Sequence, residues 1–223
     1  LHSFPTRRSS DLNVFQPAPD DGELKSSLGI MADETVLGFS GELRHKKGLL
    51  PLLAAFRRIR RRLPTRLLVI GEIRSADRSA LASFAADDPD AHAGLVITGH
   101  LEDPQLVARH LQICDIVLQP SHWDGLPNSV LEAMACERLV LASDAGSIPE
   151  AIESGVSGFI LPRTELHRLD EAIYELLTLS RYQRQTIGAA ARHRIAEHFS
   201  PECEMRNLSA AIGDLWPDRI PRS

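Results

Sequence analysis

Between Asp115 and Asp144 the chain reads DIVLQPSHWDGLPNSVLEAMACERLVLASD. That order of apolar run, polar loop, helix former and second apolar run is the signature of a βαβ unit, and it commits the chain to a parallel sheet covered by helices on both faces. Asp115-Ile116-Val117-Leu118 is the kind of run that a strand buried on both faces presents, and Pro120-Ser121 stops it where a ligand crevice would open. Val130 to Ala135 favours helix, with Pro127 and Asn128 or Ser129 available as first-turn and capping residues. Free amides and the positive end of the helix dipole then face the loop, which makes a phosphate site, and Gly125 lets the backbone approach a ligand. Asp124 and Glu132 frame that site, one in the loop and the other two turns into the helix, about 10 Å apart along the axis. The span suits the two ends of a nucleotide sugar. Taken alone, the two carboxylates fit an ordinary βαβ unit with a solvated helix face equally well.

The wider frame changes that balance. Pro120, Ser121, Gly125, Asn128, Leu131, Glu132, Ala133, Met134 and Ala135 fall in step with a P-S-x-x-E-G-x-x-N-x-x-L-E-A-M-A pattern, and the segment resembles the donor-binding motif of retaining glycosyltransferases of family 4, which have the GT-B fold. The resemblance implies that Glu132 holds the donor ribose and that the residue at Asp124, a glutamate in the family, faces the donor sugar. Asp124 and Glu132 are therefore the expected catalytic pair. Gly125, Leu126, Asn128 and Ser129 are expected to bind the donor with Glu132.

Upstream, Val36 to Ser40 reads as the first core strand, followed by the basic, glycine-bounded turn Gly41-Glu42-Leu43-Arg44-His45-Lys46-Lys47-Gly48. The family places G-R-L-x-x-x-K-G here, with arginine and lysine on the donor diphosphate. Lys47 matches the lysine, whereas Glu42 occupies the arginine position, and Arg44 is the candidate substitute because a guanidinium forks onto phosphate oxygens. Arg66 to Gly71 is a second strand, and Gly71 ends it at a turn expected near the nucleotide. Leu95 to Gly99 is the third strand, and Pro104 to Cys114 a helix with Leu106, Val107, His110, Leu111 and Cys114 inward. Asp88-Pro89-Asp90 has the form of a metal-diphosphate D-x-D but follows a helix, so a turn is expected. Ser143 to Glu150 resembles the family's S-D-x-G-G-x-P-E turn with Ser147 at the second glycine, a replacement expected to cost backbone freedom. Gly158 to Pro162 fits an edge strand, and helical stretches follow at Leu166–Leu179, Tyr182–Phe199 and Pro201–Trp216.

The expected organisation is a non-native, adaptor-like extension over 1–12, an interdomain linker remnant over 13–35, an α/β Rossmann-like doubly wound parallel sheet over 36–199, and a carboxyl-terminal helix and tail over 200–223. The resemblance covers about Asn13 to Trp216. It implies an amino-terminally truncated chain, a missing amino-terminal acceptor domain as its partner, and weak or no activity in the fragment alone.

A net charge of -5 and 25% charged residues give no general attraction to nucleic acid. No run of 18 apolar residues suggests a membrane span, and no signal peptide is visible, so the cytoplasm is expected. Arg57, Arg58, Arg61 and Arg62, at the tail of an amphipathic helix beginning at Leu49, suggest peripheral contact with the inner membrane surface as a secondary expectation. Three cysteines outside C-x-x-C spacing and nine histidines without H-E-x-x-H spacing indicate neither a disulfide framework nor a metal site. No cofactor is expected, the substrate being a nucleoside diphosphate sugar. The implied reaction is transfer of a hexosyl unit with retention. A nucleotide-sugar epimerase, which needs no acceptor, and a non-catalytic nucleotide-binding module remain as alternatives; a Rossmann oxidoreductase is disfavoured because no G-x-G-x-x-G follows the first strand.

Overall fold

The structure is a computed structural model that describes residues 11–200 and Cys203. Its strands are β1 (Thr35–Ser40), β2 (Thr65–Ile70), β3 (Leu95–Ile97), β4 (Ile116–Gln119), β5 (Leu139–Ser143) and β6 (Phe159–Leu161). Its helices are α1 (Gly22–Ser27), α2 (Leu49–Arg60), α3 (Arg78–Asp87), α4 (Pro89–Ala93), α5 (Pro104–Gln112), α6 (Asn128–Ala135), α7 (Ile148–Ala151), α8 (Leu169–Leu177) and α9 (Arg181–His198). Short 3-10 turns occupy His45–Lys47, Ser75–Asp77 and Arg163–Arg168.

All six strands pair in parallel in the order β3-β2-β1-β4-β5-β6. The expected doubly wound α/β sheet is therefore the fold. Continuous apolar runs make this possible because both faces of the sheet are covered. Alternate residues serve opposite cores: Val36, Val117 and Val140 pack with α5, α6 and α9, whereas Leu37, Leu118 and Leu141 pack with α2, α3 and α8. In α2, Leu49, Leu52, Leu53, Phe56 and Ile59 are buried at helical spacing. Full burial of one such side chain stabilises by roughly 1.5–3 kcal/mol.

Asp11 and Leu12 are tied to the domain: the Arg192 guanidinium donates to the Leu12 and Phe15 carbonyls, and Asp11 closes a turn onto Val14 and Phe15. The 13–35 stretch is exposed at Gln16, Pro17, Pro19, Asp20 and Gly22 but anchored on either side of them. Phe15 and Ile30 are core residues, and Gln112, Arg109 and Arg66 bond to Gln16, Asp21 and Gly29. Asp88 starts a helix rather than a turn, accepting from the Ala91 amide at 3.1 Å and pairing with Arg61. Leu106 is an exposed large apolar residue, because the helix turns its face outward by that position, while His110 is buried with Nδ1 at 2.7 Å from the Leu106 carbonyl. Ser147 has φ −93°, an ordinary value, so replacing glycine there strains nothing.

The basic tail of α2 is spent within the fold. Arg58 pairs with Asp170, Arg60 with Asp90 and Glu34, Arg61 with Asp88, and Arg62 lies over the Tyr174 ring. Among the described residues no helix is long and apolar enough to cross a membrane. The helix expected over Pro201–Trp216 lies outside the described residues, apart from Cys203.

Candidate functional site

β1 and β4 are sheet neighbours whose connections diverge: β1 continues through α2 to β2, and β4 through α6 to β5 on the other face. A parallel sheet opens a crevice beyond the carboxyl ends of such a pair. The two loops that border it are zipped together residue by residue. His45 stacks on His122 with ring centroids 5.9 Å apart, Lys46 lies 5.5 Å from the centre of the Trp123 ring, and Lys47 pairs with Asp124 at 3.3 Å. Between these rungs the Lys46 carbonyl accepts the amides of His122 and Trp123.

Two glycines allow the approach. Gly48 has φ +83°, and a Cβ there would stand 2.0 Å from the Pro120 carbonyl oxygen; Gly146 has φ +55°, and its Cβ would meet the Asp124 carbonyl oxygen at 2.1 Å. Neither position tolerates a side chain. The loops after β1, β4 and β5 thus converge on Asp124.

Asp124 is held on every side. Its Oδ2 accepts from Lys47, from the Ser121 hydroxyl at 3.2 Å and from the Gln119 amide at 3.4 Å, and its Oδ1 accepts the Gly125 amide at 3.0 Å. Gln119 also donates to Ser121 and accepts from the Ser129 hydroxyl at 3.2 Å, and Ser143 donates to the Ser121 carbonyl. Gln119, Ser121, Ser129 and Ser143 are all buried. Buried polar groups persist only when hydrogen-bonded, so this network has one satisfied arrangement. Gln119 and Ser143 were missed from the sequence; the signal was a polar residue at the last position of each apolar strand.

Ser129 was expected to bind the donor and was a candidate cap for α6; its hydroxyl donates to Gln119 and does not cap the helix. Pro127 is the residue before the helix, and no side chain caps α6. The amino end of α6 therefore faces the crevice beside exposed Gly125 and Asn128 with no side chain competing for it. Leu126 is half-buried against the core formed with α5 and α6.

About one turn into α6, Glu132 borders a separate cavity of about 430 Å³ with Phe15, Gly41, Glu42, Gly71 and His100. Gly71 and Glu132 are thus brought together as expected. Burial pushes the Glu132 carboxyl up to about 7, and no cation answers it among the described residues. Arg44 does not line this cavity. Its guanidinium pairs with Glu42 at 3.3 Å, and its Nε is buried without a partner among the described residues. The residue that stands at the family arginine position thus also holds the candidate replacement.

A larger hollow of about 660 Å³ lies at the other end of the sheet, around Asp115, Arg138 and Arg184. It sits at the amino ends of β4, β5 and α9, away from the amino end of α6, and none of the chemistry above reaches it.

A sequence family described as Glycosyl transferases group 1 matches residues 34–179. D-inositol 3-phosphate glycosyltransferase of Segniliparus rotundus is 30% identical over 219 residues, which is 95% of this chain and 48% of that protein. This chain accordingly spans about half the length of the curated relatives it matches. The carboxyl-terminal domain of a group 1 glycosyl transferase (LpcC) from Francisella tularensis superposes with TM-score 0.73 at 21% identity, covering 85% of this chain and 98% of that one. Anabaena HepE, solved in complex with UDP and glucose, superposes with TM-score 0.78 at 22% identity, covering 91% of this chain and 55% of that one.

Proposed function

Because this chain belongs to the group 1 glycosyl transferases, we propose that it is the donor-binding half of a family 4 retaining enzyme that moves a hexosyl unit from a nucleoside diphosphate sugar to an acceptor. The observation that carries the reading is the pairing of the β1 and β4 loops, which sets the Lys47 ammonium beside the loop that leads into the uncapped amino end of α6, the helix that carries Glu132 into its cavity. A diphosphate satisfies the first two. The cation and the helix amides offer it charge-assisted hydrogen bonds, and they would stabilise the charge that develops as the diphosphate leaves. A ribose satisfies the third, since its hydroxyls donate to a carboxylate that has no hydrogen-bond or charge partner among the described residues. Gly41 and Gly71 line that cavity and leave room for the nucleoside. The acceptor site is assigned to a further domain of the full-length protein, in keeping with the share of its relatives that this chain spans.

The test is a thermal-shift panel of this chain with UDP, GDP, ADP and NAD, repeated on Glu132→Ala and Lys47→Ala. One nucleoside diphosphate present at 100 times its dissociation constant should add roughly 2.7 kcal/mol of stability, and the gain should vanish in both variants. Equal stabilisation by NAD and the diphosphates, or gains that survive both substitutions, would sink the reading.

A further inference from the structure

We propose that Asp124 is a positioning residue that acts through Lys47, and that it does not contact the transferred sugar. The inference rests on the donor-site reading above. An ionised carboxylate has about four lone-pair sites. Four donors of this chain already approach Asp124, unevenly: Lys47 Nζ, Ser121 Oγ and Gln119 Nε2 converge on Oδ2, and the Gly125 amide is on Oδ1. Oδ2, the oxygen on Lys47, is saturated by the protein itself, and Oδ1 is turned to the amide of its own loop.

Reach points the same way. Asp124 stands where the motif carries glutamate, and the side chain that is one methylene shorter is drawn back onto its own loop rather than extended into the crevice. Both members of the Lys47–Asp124 pair are mostly covered, with side chains 17% and 16% exposed, so neither swings freely in solvent. The neighbouring rungs, His45 on His122 and Lys46 on Trp123, fix the register that presents Lys47 to Asp124. A lysine ammonium has three N–H groups. With one directed at Asp124, the long side chain is held in one place and the others are free for phosphate oxygens.

The experiment measures dissociation constants by titration calorimetry for UDP and UDP-glucose, or for the corresponding pair if the panel selects another base. The proteins are the native chain, Asp124→Asn, Lys47→Met and the double variant, with Asp124→Glu as the conservative change. A positioning role predicts that Asp124→Asn weakens the diphosphate and its glucose ester by the same factor, about five-fold or more. It further predicts no additional loss in the Lys47→Met background, and recovery for both ligands in Asp124→Glu, which keeps the charge within reach of Lys47. A loss confined to the glucose ester would show that Asp124 touches the sugar and would overturn the proposal, as would losses that add across the double variant or no change at all. If Asp124→Asn does not fold, equal affinities of Asp124→Glu for both ligands relative to the native chain support the proposal, and a change in the glucose ester alone overturns it. Failure of the native chain to bind any nucleoside diphosphate would instead overturn the donor-site reading, and this inference with it.

Discussion

Asp124 and Glu132 lie eight positions apart in one loop and helix, yet the fold treats them in opposite ways. Asp124 is surrounded by a cation and three neutral donors, while Glu132 is desolvated and given no charge to answer it. A carboxylate of the first kind is largely satisfied by its own chain. One of the second kind is open to a ligand that offers hydroxyl donors. Strongly perturbed titration at an otherwise unused carboxylate in a cavity is a mark of candidate function, and the proposed roles of the two carboxylates follow that difference.

The contrast can be broken most severely at Gly48. Gly48→Ala forces a side chain against the Pro120 carbonyl at a left-handed backbone position, and should cost on the order of 3 kcal/mol in a urea melt. It should also abolish diphosphate binding by parting Lys47 from Asp124, while the titration of Glu132 stays where it is. If Glu132 moves with it, the two regions are not independent.

The second test addresses Glu132 through pH. Unfolded, its carboxyl titrates at the ordinary 4.5, and folded at about 7. A raised carboxylate pKa contributes stability that is fully present below 4.5 and lost as pH rises through 7, because the folded state must then hold a desolvated charge. Glu132→Gln should match the native chain at pH 4 and exceed it at pH 8 by up to about 3 kcal/mol, read as the difference between paired denaturation curves. Nucleoside diphosphate affinity of the native chain should rise over the same window, since the ionised form accepts the ribose hydroxyls. A flat difference between the two proteins would remove the asymmetry.

The smallest effect is expected at Ser129. Ser129→Ala deletes the hydrogen bond to Gln119 and should cost about 1 kcal/mol, with a lesser loss of diphosphate affinity and no change in the pH profile. A loss of diphosphate affinity as large as that of Lys47→Ala would return Ser129 to the ligand.

The α/β class was legible because its cause is local. Runs such as Leu67-Leu68-Val69-Ile70 and Ile116-Val117-Leu118 are apolar on both faces, and only a sheet covered twice can bury them. Gly125 and Glu132 were read from the spacing of one motif, Lys47 from a second and Gly71 from the end of its strand, and the structure places Gly71 and Glu132 on one cavity and Lys47 on Asp124. The anchoring of the 13–35 stretch was not legible because its prolines and charges hide Phe15 and Ile30, whose burial depends on helices more than eighty residues away. The partners of Ser129 and Arg44 were not legible for a related reason. Residue type says what a side chain can bond to, whereas Gln119 and Glu42 decided what each one did bond to.

The order of elements, the parallel sheet and the placement of a phosphate-seeking helix end after β4 follow from periodicity and turn chemistry along the chain, which act over a few residues at a time. The matching of 45–47 to 122–124, the pairing of Arg44 with its neighbour Glu42, and the isolation of Glu132 were decided by tertiary structure alone. Each depends on how closely separate loops approach, and distances between loops are set when two cores close on one sheet, at contacts such as Gly48 on Pro120 and Gly146 on Asp124 that no local pattern encodes.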